Sequence, residues 1–68
     1  MSFYSIEENW MYFTSKGITP EKLDDLLTLS TECKLDWEVL NSARSYAEEH
    51  PNDDILEAIE YGLNEWDV

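Results

Sequence analysis

Few side chains in this sequence could act as nucleophiles, metal ligands or redox groups. The chain has one cysteine, Cys33, and one histidine, His50, so neither has a second residue of its own kind at metal-binding or redox spacing. His50 stands directly before a proline, a position typical of a cation at a helix C-terminus rather than of a general base. The acidic pairs Asp24–Asp25 and Asp53–Asp54 lack the D-x-[DN]-x-[DN]-G pattern of a calcium loop. We therefore expect a protein that is not an enzyme and that uses no metal and no cofactor.

Carboxylates are the abundant reactive group, and they are unevenly distributed. The 68 residues include 16 Asp and Glu against 4 Lys and Arg, which gives a formal net charge of −12. Residues 36–68 hold ten acids and a single base, Arg44, and so carry −9, whereas residues 1–35 carry −3. Such a charge repels nucleic acid and anionic lipid and speeds the encounter with basic partners in a salt-dependent way. We expect a basic, nucleic-acid-binding protein as the partner, with no direct contact to nucleic acid or membrane.

The composition predicts one small domain over residues 1–68. Hydrophobic residues make up 43% and nine residues are aromatic, which argues against disorder. A domain of this size buries roughly 60% of the surface of its unfolded chain, so a deep catalytic cleft is not expected. Cys33 alone cannot form an internal disulfide, no apolar run approaches the roughly 20 residues of a membrane span, and the opening residues lack a signal-peptide pattern. A cytoplasmic location is therefore expected.

Helix signals predict an all-α fold, a small bundle of three to four short helices. The Ser5–Glu8 segment matches a capping box, and Gly17 is a stop signal, so the first helix is expected at about residues 6–16. Thr19 followed by a proline starts a second helix, which should fade near Ser30–Thr31. Residues 31–35 are expected to form a short connection.

Two longer helices are predicted in the acidic half. Asp36 is expected to cap the third helix, which should end at His50 because the following proline disfavours helical backbone there. Asn52 or Asp53 is expected to cap the fourth helix. This helix either ends at Gly62 or continues and brings Trp66 into its apolar stripe. The inward-facing residues predicted by helical periodicity are Ile6, Trp10 and Phe13, then Leu23, Leu26 and Leu27, then Trp37, Leu40, Ala43 and Ala47, and finally Ile55, Leu56, Ile59 and Leu63.

The acids near the junction of the last two helices are the candidate partner-binding site. On the predicted fourth helix, Asp53, Glu57 and Glu60 recur at i, i+4 and i+7 on one face, about 6 Å apart by helical rise. Duplex DNA presents about one charge per 1.7 Å of axis, so a stiff carboxylate array could occupy a phosphate-binding groove. Acidic helices also occur simply as solvated faces. The candidate residues are Glu48, Glu49, Asp53, Asp54, Glu57, Glu60, Tyr61 and Trp66.

The segment Leu35-Asp36-Trp37-Glu38-Val39-Leu40, followed by residues 43–49 and 55–66, resembles the acidic helical parts of ArdA-type antirestriction proteins. Small acidic anti-CRISPR proteins of phages are similar as well. The resemblance covers about half of the chain and rests on composition and helix rhythm. It implies an inhibitor from a phage or mobile element that blocks the nucleic-acid-binding surface of a bacterial defence nuclease, either a CRISPR effector or a restriction enzyme.

Two other functions are compatible with the same features. The chain could be an immunity protein or antitoxin that neutralises a basic toxin nuclease. It could instead be a plain protein-interaction adaptor, in which the aromatic residues around Trp66 would dominate binding. A homodimer is left open, because each helix has one apolar stripe and the core is small.

Overall fold

The computed structural model describes residues 4–67 and is all-helical. Within that range the five helices are α1 (Ile6–Ser15), α2 (Pro20–Leu26), α3 (Thr28–Glu32), α4 (Asp36–Glu49) and α5 (Ile55–Glu65). The predicted all-α fold is confirmed, and the count exceeds the predicted three to four because the second helix is divided into two. The long helices α4 and α5 form a hairpin, and α1 packs against α4.

Helix α1 begins and ends where its local signals predict. The Ser5 hydroxyl accepts a hydrogen bond from the Glu8 amide at 3.2 Å, and the Ser5 amide donates to the Glu8 carboxylate at 3.1 Å. The Ser5 amide bond to the Glu8 carboxylate, followed by the nearby Ser5 side chain, lowers the pKa of Glu8. At the other end Lys16 is the C-cap, and Gly17 takes the left-handed φ of 109° that ends the helix.

The break between α2 and α3 was not predicted. Thr19 caps α2 by accepting from the Lys22 amide at 3.2 Å, as expected. At Leu27 the backbone leaves helical geometry, with φ −95° and ψ 5°, and α3 follows directly. Thr28 and Ser30 donate their hydroxyl hydrogen bonds to backbone carbonyls of α2 and Leu27, at 3.1 and 2.8 Å. Hydroxyl competition for the backbone was expected at Ser30–Thr31, and it occurs at Thr28 and Ser30, just after the break. Because α3 continues to Glu32, the connection predicted at residues 31–35 is wrong in its start and covers only 33–35.

The predicted cap of α4 is wrong. Asp36 is the first helical residue, and the N-cap is Leu35, which has no side-chain capping bond. The Asp36 carboxylate still lies in the first turn, where a negative charge is stabilised by the helix dipole. The predicted end of the helix is confirmed, since α4 stops at Glu49 with His50 as its C-cap.

Helix α5 starts later than its signals indicated, and of its two predicted ends the later one is observed. Its N-cap is Asp54, which accepts from the Leu56 amide at 3.0 Å, so neither Asn52 nor Asp53 is the cap. Gly62 does not terminate the helix, which runs to Glu65 with Trp66 as C-cap.

The core confirms most of the predicted inward residues. Those that are fully or almost fully buried are Phe13, Leu23, Leu27, Leu40, Ala43, Ala47 and Ile59. Those that pack half-buried at its edge are Ile6, Trp10, Leu26, Ile55 and Leu63. Trp37 and Leu56 were predicted to be inside and are exposed, at 38% and 37%. Trp37 is drawn outward because its indole N–H donates to the Tyr4 carbonyl, and Leu56 lies at the margin because α5 buries Ala58, Ile59 and Gly62.

Two polar residues, Asn9 and Ser30, are buried in the core, and neither was predicted to be there. Ser30 is satisfied by its hydrogen bond to the Leu27 carbonyl. Asn9 is fully buried, and neither atom of its amide has a hydrogen-bond partner within residues 4–67. An unpaired buried polar group costs about 1–3 kcal/mol of stability.

Gly62 packs directly against the backbone of α4. A Cβ atom built on Gly62 would lie only 2.5 Å from the Val39 carbonyl oxygen and 3.1 Å from the Ala43 Cβ. Since the first of these neighbours is backbone, it cannot rotate away as a side chain would. Glycine at this position therefore sets the spacing of the hairpin.

Replacing Gly62 tests this spacing. We expect Gly62→Ala to lower the free energy of unfolding by about 2–3 kcal/mol, because the added methyl group forces the two helices apart. Asn64→Ala is the control, since Asn64 is an exposed residue of the same helix and alanine favours helix. Urea unfolding followed by circular dichroism measures both. Equal stability of Gly62→Ala and the wild type would contradict a backbone-limited contact.

Candidate protein-binding surface

The acidic residues predicted to bind a partner gather around the turn between α4 and α5. Glu48 and Glu49 end α4, Asp53 and Asp54 lie in the turn, and Glu57 is in the first turn of α5. All five are exposed, and we call them the acidic turn. Glu60 and Tyr61 follow further along α5, and Trp66 lies at the far end of that helix. The structure thus brings five of the eight candidates together at the turn, and the other three follow along α5. Of these three, Tyr61 and Trp66 still line a groove together with Glu48 and Glu49.

One predicted arrangement within this group is wrong. Asp53, Glu57 and Glu60 were expected on one helical face, but α5 begins at Ile55, so Asp53 lies outside it. Two of the acids also have structural roles. Asp53 accepts a hydrogen bond from the Tyr46 hydroxyl at 3.1 Å, and Asp54 caps α5.

The remaining acids have no such role within the described part of the chain. They are exposed, and no internal hydrogen bond of their side chains occurs among residues 4–67. The four residues are Glu48, Glu49, Glu57 and Glu60.

A stack of three rings fastens the acidic turn to both long helices. The Tyr46 ring lies between His50 and Tyr61, with centroid distances of 4.2 and 4.6 Å and interplanar angles of 23° and 24°. The hydrogen bond to Asp53, then desolvation, then the charges of Asp53 and Glu57 raise the pKa of Tyr46. The stack orders the turn without using any of the four acids that are left for solvent or a partner.

A groove with a volume of about 770 Å³ runs along the outer face of α4. Its floor contains the short side chains Asn41, Ser42 and Ser45. Aromatic rings and carboxylates form its sides. They are Tyr4, Trp37, Tyr46, Tyr61 and Trp66, together with Glu38, Glu48, Glu49 and Glu65. We call this feature the aromatic groove.

Hydrogen bonds hold both walls of the aromatic groove, and on each side one of them reaches the floor. On one side the Trp37 indole donates to the Tyr4 carbonyl at 2.8 Å, and the Tyr4 amide donates to the Asn41 side chain at 3.3 Å. On the other side the Trp66 indole donates to the Ser42 hydroxyl at 2.9 Å. The N-terminal segment and the end of α5 are therefore both attached to the same face of α4.

The one base of the acidic half is held by aromatic rings. The guanidinium carbon of Arg44 lies 3.5 Å from the ring centroid of Tyr4 and 4.3 Å from that of Tyr12. Its Nε is buried and has no hydrogen-bond partner among residues 4–67. Arg44 is thus bound mainly through cation–π contacts with the N-terminal part of the chain.

A second groove, of about 630 Å³, lies on the other side of Tyr46. It separates Tyr12 and Lys16 of the N-terminal helix region from the acidic turn. Burial, followed by the charge of Glu48, raises the pKa of Tyr12. Two grooves therefore meet at Tyr46, Glu48 and His50.

Other chemistry has little support in the described residues. Cys33 is exposed and has a free thiol. No cluster of His, Cys, Asp and Glu suited to a metal ion occurs within residues 4–67. The expectation that the protein is not an enzyme stays a prediction. The helices described for residues 4–67 are too short and too polar to traverse a bilayer.

Comparison with known proteins finds no relative. No protein-family model matches the chain, and no curated protein and no solved structure is detectably similar to it. The resemblance to ArdA-type and anti-CRISPR proteins, the nature of the partner and the homodimer therefore stay predictions.

The sequence indicated the acids and the exposed aromatics, but it missed what connects them. Tyr4, Ser42 and Arg44 had no predicted role in the surface, although they anchor or line the aromatic groove. A signal for the ring stack was present, since His50, the C-cap of α4, follows Tyr46 by four residues, a spacing that places side chains on the same side of a helix. Nothing in the local pattern pointed to Tyr4.

The pKa of Tyr46 tests the geometry of the acidic turn. Because the fold raises this pKa above the ordinary value of 10.0, the neutral phenol is the favoured form. Its contribution to stability is full below the ordinary pKa and is lost as the pH rises through the higher pKa of the folded state. We expect Asp53→Asn to move the pKa of Tyr46 back down, as measured by NMR titration of the tyrosine rings.

Glu60→Gln is the matched control for this titration. Like Asp53→Asn, it removes one negative charge, but Glu60 has no hydrogen bond to Tyr46. The pKa of Tyr46 should therefore equal that of the wild type. If Asp53→Asn left that pKa unchanged, the bond between the phenol and the carboxylate would be refuted.

Proposed function

We propose that this protein is a non-enzymatic inhibitor from a phage or mobile element. In this proposal the acidic turn and Glu60 bind the basic nucleic-acid-binding surface of a bacterial defence nuclease, either a CRISPR effector or a restriction enzyme. The observation that carries the proposal is a set of four exposed glutamates whose side chains have no hydrogen bond within residues 4–67: Glu48, Glu49, Glu57 and Glu60.

The placement of the positive charge supports the same proposal. Arg44 is the only Lys or Arg in residues 36–68, and its guanidinium is sandwiched between the rings of Tyr4 and Tyr12. The glutamates at the turn are therefore not matched by bases of their own half of the chain. Uncompensated like charges on adjacent helical turns destabilise a small domain, so their retention favours a binding role.

The rigidity of the turn also suits a ligand that imitates a charged polymer. The Asp54 cap, the bond between Asp53 and Tyr46, and the ring stack hold the ends of α4 and α5 in place. Because the backbone that presents the glutamates is already ordered, only their side chains lose conformational entropy on binding. Carboxylates presented this way would compete with phosphates for a basic channel, and the affinity would fall as salt is raised.

Neutralising the four free glutamates tests this function. The tagged protein is used to capture proteins from a bacterial lysate at low and at high salt, and the bound proteins are identified by mass spectrometry. We expect capture of a nucleic-acid-processing enzyme that is released by salt or by added duplex DNA. Recovery should fall about tenfold or more in a variant that loses four ion pairs. The variant is Glu48→Gln, Glu49→Gln, Glu57→Gln and Glu60→Gln.

A control with the same charge change separates the acidic turn from net charge. It neutralises four exposed acids of α2 and α3 and should bind the captured enzyme as the wild type does. The control is Glu21→Gln, Asp24→Asn, Asp25→Asn and Glu32→Gln. Capture of only salt-resistant proteins unrelated to nucleic acid, or equal loss in both variants, would refute the proposal.

A further inference from the structure

The aromatic groove exposes large aromatic rings, which the charge of the neighbouring acidic turn does not explain. Three of its rings, Trp37, Tyr61 and Trp66, are 38%, 42% and 40% exposed. Exposed large aromatics around a floor of small side chains are typical of pockets that receive an anchor residue from a partner. The indole N–H groups of Trp37 and Trp66 are both bonded internally, so these rings are held in place.

The charge of the groove selects the kind of side chain it would accept. Four carboxylates line it, from Glu38, Glu48, Glu49 and Glu65, against the single guanidinium of Arg44. A cation that can also lie flat against an aromatic ring complements both properties. Arginine does this better than lysine, because its planar guanidinium stacks on rings and donates to carboxylates in a fork.

The chain itself contains an example of this recognition. At the edge of the groove Arg44 lies 3.5 Å from the Tyr4 ring centroid, with no hydrogen-bond partner for its Nε. A guanidinium therefore lies flat enough against this face to contact an aromatic ring, without a hydrogen bond from its Nε to any residue of 4–67. On the opposite wall, Tyr61 and Trp66 offer similar rings, and Glu65 adds a carboxylate beside them.

We propose that the aromatic groove binds an extended, arginine-bearing segment of the partner protein. Helix α4 has 14 residues, which gives a groove floor of about 20 Å, enough for about six residues of extended peptide. A second copy of this chain fits the groove poorly, because Arg44 is its only arginine and is already held by Tyr4 and Tyr12. This inference adds a second binding surface to the proposed function. It rests on that function only in assuming that the arginine belongs to the same partner protein.

The test uses two synthetic hexapeptides, Gly-Arg-Ala-Gly-Arg-Ala amide and its twin with lysine in place of arginine. Each is titrated into the whole chain, and the indole N–H signals are followed by NMR. The signals of Trp37 and Trp66 should shift and saturate, while Trp10 serves as an internal control because it does not line the groove. We expect the arginine peptide to bind about fivefold more tightly than the lysine peptide.

Two variants connect the binding to the groove. Glu49→Gln with Glu65→Gln should weaken the arginine peptide about tenfold, whereas the charge-matched Asp24→Asn with Asp25→Asn should change its affinity less than about twofold. Tyr61→Leu should remove the preference for arginine over lysine. All of these positions are exposed, and circular dichroism verifies that each variant folds.

Several results would overturn the inference. They are equal affinity for the two peptides, equal shifts at Trp10, and no saturation at millimolar peptide. Shifts of Trp37 and Trp66 that depend on protein concentration without peptide would instead assign the groove to a second copy of the chain. The proposed function is tested separately. Salt-sensitive capture through the four glutamates would still support it if the groove did not bind arginine, and arginine binding by the groove would not support it without such capture.

Discussion

The contact between the backbones of α4 and α5 at Gly62 is the constraint on which the rest of the structure depends. With no side chain between the helices there, Tyr61 stacks on Tyr46 at one end and Trp66 reaches Ser42 at the other. The first of these contacts orders the acidic turn, and the second forms a wall of the aromatic groove. A single glycine therefore connects the packing of a small core to the two surface features that could bind a partner.

Features set by neighbouring residues could be predicted from the sequence. The capping box of Ser5, the start at Thr19 and the end of α4 at His50 depend on contacts within a few residues, and all three are confirmed. The start of α5 was missed because Asp53 and Asp54 are equivalent as local caps. What distinguishes them is the Tyr46 hydroxyl, seven residues before Asp53, which donates a hydrogen bond to the Asp53 carboxylate. Asp54 is then the residue that caps the helix.

The surface was less predictable than the helices for the same reason. The charge split between the halves identified the acids, but it could not distinguish the two that stabilise the turn from the four that have no side-chain bond in the described part of the chain. The aromatic groove requires Tyr4 to meet Trp37 and Asn41, which are 33 and 37 residues away along the chain. Helical periodicity contains no information on contacts of that range, so it placed Trp37 in the core.

Zero-length crosslinking in a bacterial lysate tests the central claim most directly, because a carbodiimide joins a carboxylate to a partner amine only when the two are in contact. The crosslinked carboxylates are then mapped by mass spectrometry. The account predicts that crosslinks to other proteins start from Glu48, Glu49, Glu57 and Glu60 and disappear at high salt. Crosslinks spread evenly over these residues and the exposed acids of α2 and α3 would contradict it, since the acidic turn would then be no more than a solvated surface.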